Sequence, residues 1–211
     1  MKVKDFFKTL IPAVYAGLCI GIGGSVFIAC ENKIAGAFMF TVGLFTILIF
    51  GFNLFTGKVG YICQRKPSYI LEVLTVWLGN FIGTYLVAFL LRFTRVYESL
   101  VTKCNTMVAV KESDSLLSLL ILGIFCGMLM FIAVDSFGKC ENKVTATLIV
   151  ILGVMVFILA GFEHCIADMF YFALTKSYPD ALLMLLVITI GNAIGGNLIP
   201  LMQNIQKKLN A

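Results

Sequence analysis

Charge is scarce in this chain. Only 13% of its 211 residues are Asp, Glu, Lys or Arg, against about 25% in an average soluble domain. There is one histidine, His164, and although there are seven cysteines none forms a C-x-x-C pair. Zinc would need more nitrogen and thiolate ligands at close spacing, so no metal is expected. Six of the cysteines (Cys19, Cys30, Cys63, Cys126, Cys140 and Cys165) lie in or beside apolar runs and read as small packing residues. A phosphate loop, a soluble domain and a nucleophile–base–acid set are also missing. The chain is therefore not expected to be an enzyme or to carry a cofactor, and its net charge of +5 does not point to nucleic acid.

Apolar residues make up 60% of the chain. They fall into six runs, about 11–30, 34–62, 69–94, 115–137, 144–174 and 181–205. A bilayer is crossed by about 20 apolar residues, so each run reads as a membrane span and lipid as the surrounding medium. The start, MKVKDFFKTL, is basic, but the run after it continues to Cys30 without an A-x-A-like site. No cleavable signal is expected there. Lys2, Lys4, Lys8, Lys58, Arg65, Lys66, Lys139, Lys143, Lys207 and Lys208 fall on one side of this topology. Lys33, Arg92, Arg95, Lys103, Lys111 and Lys176 fall on the other. The excess of basic residues puts both termini in the cytoplasm and the protein in the cell membrane.

The two halves echo each other. CENK at Cys30–Lys33 returns at Cys140–Lys143, and the glycine-phenylalanine pair at Gly51 returns at Gly161, both 110 residues on. GNFIG at Gly79–Gly83 returns as GNAIG at Gly191–Gly195, 112 residues on, and FIA at Phe27–Ala29 returns at Phe131–Ala133, 104 on. These echoes indicate one transmembrane domain, 1–211, made of duplicated halves 1–105 and 106–211 with three helices each. Three is odd, so the second copy must enter the membrane from the opposite side. The expected fold is an all-α membrane protein built as an inverted 3+3 repeat, with the substrate path along the repeat interface.

The second and fifth spans are too long for one simple crossing. Each has a glycine-marked polar interruption at its middle, GFNLFTGK at 51–58 and GFEHCIAD at 161–168. Glycine inside a helix costs about 1 kcal/mol relative to alanine. Ionisable groups inside a span are costly and mark an ion or substrate path. Both helices are expected to break at mid-membrane, with Thr56 contributed by one break and His164 by the other. The stretch 95–114 reads as an external connection with a short surface helix, and Ser113-Asp114 or Ser115 as the cap of the fourth span.

The patterns G-x-x-L-F-T-G at 51–57, G-F-E-H-x-x-A-x-M at 161–169 and G-N-x-I-G-G at 191–196 resemble the formate–nitrite transporter family. The resemblance implies a homopentamer of channels for small monovalent anions of weak acids, each protomer with an aquaporin-like outline and its own pore. It implies His164 as the central pore histidine and Thr56 as its loop partner. Leu54 and Phe55 are implied beside the pore, Phe40 and Phe157 at an aromatic constriction, Leu44 at another narrow point, Asn192 as a polar residue of the sixth span, and Lys139 at a vestibule. Glu163 is expected beside the histidine, its carboxylate satisfying backbone donors freed by the break. Two departures stand out: Asp168 where the family usually has Asn, and Gly127 where it commonly has Asn after Cys126.

A bare anion does not cross an apolar constriction cheaply and neutralises instead. The expected mechanism gathers the anion with lysines and half-helix N-termini, gives it a proton near His164 as donor or relay, and passes the neutral acid through the narrow segment. The competing reading is a neutral-solute facilitator for water, glycerol or ammonia. It suits inverted halves but lacks the paired N-P-A motifs. A redox protein and a pore-less scaffold are the remaining alternatives.

Overall fold

A computed structural model describes residues 3–210; Lys2, counted above among the basic residues, lies outside them. Every regular element among the described residues is helical. In chain order they are α1 (Val3–Ala29), α2 (Lys33–Phe50), α3 (Phe55–Lys58) running into a 3-10 helix (Val59–Gln64), α4 (Tyr69–Leu91), α5 (Tyr97–Glu112), α6 (Leu116–Lys139), α7 (Lys143–Ala160), α8 (Cys165–Thr175) and α9 (Leu182–Leu209). Six of them, α1, α2, α4, α6, α7 and α9, are long and apolar enough to cross a membrane. Their outer faces stay apolar: Ile49, Leu90, Leu117, Leu152 and Met202 are all exposed, as lipid contact requires.

Local chemistry sets the helix ends. Asn32 accepts the Ala35 N–H to start α2, Asn142 accepts the Thr145 N–H to start α7, and Ser115 accepts the Ser118 N–H to start α6. Gly51 ends α2 at φ +67° and Gly161 ends α7 at φ +74°. Both are left-handed, a conformation that glycine adopts without the steric cost of a Cβ. The next helices start at Phe55 and Cys165.

Packing is equally matched. α1 lies on α4 and α6 on α9, and α1 and α6 also pack against α2 and α7. The first two contacts are glycine-to-glycine. A Cβ on Gly17 would stand 2.9 Å from the Gly83 Cα, and one on Gly191 3.0 Å from the Gly123 Cα. Without a hydrophobic drive between helices in lipid, such close backbone approach supplies the attraction. Gly127 belongs to this seam, because a Cβ there would run into the Asn192 backbone. That leaves no room for the asparagine side chain common at this place in the family.

One echo drops out. The Ala13 and Gly123 carbonyls, 110 apart, receive hydrogen bonds from Asn80 and Asn192, which puts α1 and α6 in the 110-residue register. The FIA echo at 104 is six residues out of it. The 105/106 division also falls inside α5, which is a connection packed on α8 and α1.

Candidate functional site

Each interruption is held by one asparagine. The Asn80 amide donates to the Ala13 carbonyl at 2.8 Å and the Asn53 carbonyl at 2.9 Å, while its Oδ1 accepts the Phe55 N–H at 2.8 Å. Asn192 does the same in the second half: it donates to the Gly123 and Glu163 carbonyls, both at 2.8 Å, and accepts the Cys165 N–H at 2.9 Å. Backbone groups freed by the interruptions are thus satisfied inside protein, as burial demands. Asn192, expected as a pore-lining polar residue, lines neither cavity described below; it is a strut.

The interruptions meet through their side chains. Thr56 Oγ1 lies 3.1 Å from His164 Nε2, and both residues are buried. His164 caps α8, its Nδ1 accepting the Ala167 N–H at 3.1 Å. A ring nitrogen that accepts carries no proton, so the proton of the neutral imidazole sits on Nε2 and is donated to the Thr56 hydroxyl. The Thr56 hydrogen is then free for another acceptor.

Two cavities flank this contact. The first, about 280 Å³, is bordered by His164, Glu163, Asp168, Lys111, Lys33 and Phe157. The second, about 220 Å³, is bordered by Leu54, Ile47, Gly57, Lys58, Tyr61 and Arg65. Phe40, Leu44 and Ile47 share one face of α2. Phe40 meets Phe157 edge-on at 6.0 Å between ring centroids, and Phe157 stacks on the His164 ring at 5.4 Å. Phe40 therefore lies toward the histidine-side cavity and Ile47 at the other, separated by about 10 Å of helix rise. Phe40 and Leu44 are each 1% exposed and, like Thr56, border neither cavity.

Phe55 does not join them. It lines an apolar groove between α4 and α9 with Trp77, Val73 and Leu186. Successive residues of a helix turn by about 100°, so Thr56 and Phe55 look in different directions. Lys139 is also displaced from its expected role. Its ammonium pairs with Asp135 at 2.9 Å, and Tyr61 donates to the same carboxylate at 2.8 Å. The cations that border the second cavity are Lys58, paired with Glu72 at 3.2 Å, and Arg65.

Glu163 departs from its expected role as well. Its carboxylate bonds to the Lys111 ammonium of α5, and the same ammonium lies 3.1 Å from Asp168 Oδ1. Burial works to lower the affinity of Lys111 for its proton, but Asp168 and Glu163 outweigh it and hold the ammonium above the usual lysine range. Lys111 was missed in the sequence. It lies 52 residues from Glu163, and no local period links them.

Comparison with known proteins adds the following. A family model described as Formate/nitrite transporter matches residues 2–205. The formate channel FocA of Escherichia coli K12 is 24% identical, with 93% of this chain and 85% of that one covered. FocA of Haemophilus influenzae is 22% identical, with 79% and 66% covered. Among solved structures, a pentameric formate channel with formate bound has a TM-score of 0.82 at 24% identity, covering 99% of this chain and all of that one.

Proposed function

Because the chain belongs to the Formate/nitrite transporter family and carries six apolar helices fit to cross a membrane, we propose that it is a channel or proton-linked transporter for small monovalent anions of weak acids. Formate, nitrite and hydrosulfide define the class. The observation that carries the reading is the Thr56–His164 contact, set between two cavities and reached from each side by an interrupted span. The relatives found are named as channels and transporters, which agrees with a non-enzymatic role.

The fold behind this function is an inverted repeat with its second and fifth spans broken at mid-membrane. Matched hydrogen bonds from Asn80 and Asn192, at donors and acceptors 110 to 112 residues apart, support it. Both termini are cytoplasmic, which makes the Leu54 cavity the inner one and the histidine cavity the outer one. The assembly is a homopentamer, a reading that rests on the similar pentameric channel.

In the mechanism, Lys58 and Arg65 raise the local anion concentration on the inner side, and Lys33 does so on the outer side. At the dry segment the anion meets the Thr56 hydroxyl, whose hydrogen is free because its oxygen accepts the Nε2–H of His164, a donor that favours a negative oxygen where few others are present. It takes a proton there, crosses Phe40, Leu44 and Phe157 as the neutral acid, and ionises again in water. A proton leaving Nε2 must return by the same nitrogen, because Nδ1 is engaged by the Ala167 N–H. His164 thus works as a relay through the Thr56 side.

The test is a stopped-flow panel in proteoliposomes, using formate, nitrite and hydrosulfide gradients over a range of pH, with osmotic swelling in parallel. Saturable or pH-coupled flux of at least one anion is expected. Folded, oriented protein that passes none of these acids would end the anion reading. Rapid glycerol or water passage without acid flux would favour a neutral-solute facilitator.

A further inference from the structure

The cluster of Lys111, Glu163 and Asp168 is unbalanced. One ammonium faces two carboxyl groups, and the side chains are only 12%, 7% and 1% exposed. Asp168 Oδ1 is bonded to Lys111, while its Oδ2 is buried without a hydrogen-bond partner. Both carboxyls contact the same Lys111 ammonium, and all three residues border the cavity that His164 borders.

Ionising both acids would leave one uncompensated negative charge. A buried charge without a partner is expensive, and two carboxylates sharing a site do not both ionise readily. The surroundings offer no second cation to Asp168: Arg92 at the end of α4, which packs on α8, turns its guanidinium to the Ala173 carbonyl at 3.2 Å. From α5 Asp168 faces Cys104 besides Lys111; from α6, Cys126; from α8 and its end, Cys165, Tyr171 and Tyr178. These are thiols and phenols, neutral in ordinary conditions. Lys33 borders the same cavity, but its ammonium is turned to the Leu159 carbonyl at 3.5 Å. His164 borders it as a neutral ring. A metal ion would require several more oxygen ligands, and no metal-holding group of acids, histidines or cysteines exists among the described residues. The missing positive charge is the size of a proton.

We propose that Glu163 and Asp168 together bind one proton in the wall of the histidine-side cavity, so that the cluster is neutral with the proton and singly negative without it. The consequence rests on the channel reading above. With the proton bound, an anion enters a cavity of balanced charge; with it lost, the cavity repels the anion. Anion access therefore falls as pH rises through the titration of this site. One unscreened charge at about 6 Å in a watery cavity changes anion occupancy roughly threefold.

Two measurements on the purified full-length protein test the proposal. Infrared difference spectra across a pH titration should show a protonated-carboxyl band in the wild type that bleaches at alkaline pH. Asp168→Asn leaves one acid for one lysine, and the band should vanish. Glu163→Gln should abolish it too, which keeps the test decisive if the first variant does not fold. Absence of the band in the folded wild type, or its persistence in both variants, would overturn the proton site. In proteoliposomes, formate flux corrected for the formic acid present should drop roughly threefold over that titration in the wild type and stay level in Asp168→Asn. An equal drop in both would overturn the link to access. A normal band with no formate flux in any variant would support the proton site and sink the channel reading alone.

Discussion

The two interruptions use one backbone device and carry different chemistry. Both end a helix on a left-handed glycine, both are tied by an asparagine with the same three bonds, and both lead into a second helical segment. The first holds neutral Asn53, whose side chain donates to the Thr9 carbonyl. The second holds Glu163 at the equivalent place, drawn to Lys111. Lys58 of the first corresponds to Asp168 of the second, a reversal of charge. Leu54 opens α3 without a side-chain cap, whereas His164 caps α8. Even the dry segment differs: Phe40 and Phe157 close the histidine side, and the matching positions at the other end are Val150 and Ile47. The two interruptions thus share what holds the backbone in place and differ in the charge and capping of their side chains.

The comparison is broken most severely by removing the struts. Asn80→Leu and Asn192→Leu each strand one buried N–H and one buried carbonyl at an interruption, at about 1–3 kcal/mol per group. Both variants should lose most of their thermal stability in detergent, to similar extents; a large difference would mean that the struts are not equivalent. Next come the side chains that meet. His164→Asn keeps an acceptor for the Ala167 N–H but loses the Nε2–H, and Thr56→Val loses the hydroxyl. Either should lower formate flux about tenfold with a small shift in melting temperature. His164→Asn should also flatten the pH dependence of flux, and an unchanged profile would remove the relay. The glycines come third. Gly51→Ala and Gly161→Ala meet no neighbouring atom, so each should cost about 1 kcal/mol of backbone strain alone. Equal melting shifts would sharpen the match. Least affected should be Lys139→Ala, an exposed ion pair outside both cavities, with a stability change within about 0.5 kcal/mol and near-normal flux.

Much of this arrangement was legible beforehand. Long apolar runs announced the six spans, glycine with polar residues marked both interruptions, and Ser115 was readable as a cap. The meeting of Thr56 with His164 followed from pairing the two interruptions. Other features were hidden for physical reasons. Lys58 and Arg65 sit on or just after the turn that follows the first interruption, and hydrophobic period does not encode the direction of so short a segment. Lys139 is placed at a vestibule by the family resemblance alone, and Asp135, one helical turn earlier, pairs with it. Phe55 sat next to the right residue and pointed the wrong way. The short FIA echo was chance similarity inside helices rich in Phe, Ile and Ala.

The struts carry one more consequence. Each asparagine amide has both of its hydrogens and its oxygen committed to main-chain groups, so neither has a donor to spare for passing solutes. If the chain works as the proposed channel, its path has fixed walls at the waist. Opening then falls to aromatic rings swinging on their own bonds or to whole helices shifting as rods, and a blocker that wedges beside Phe40 would arrest the protein without unfolding any of it.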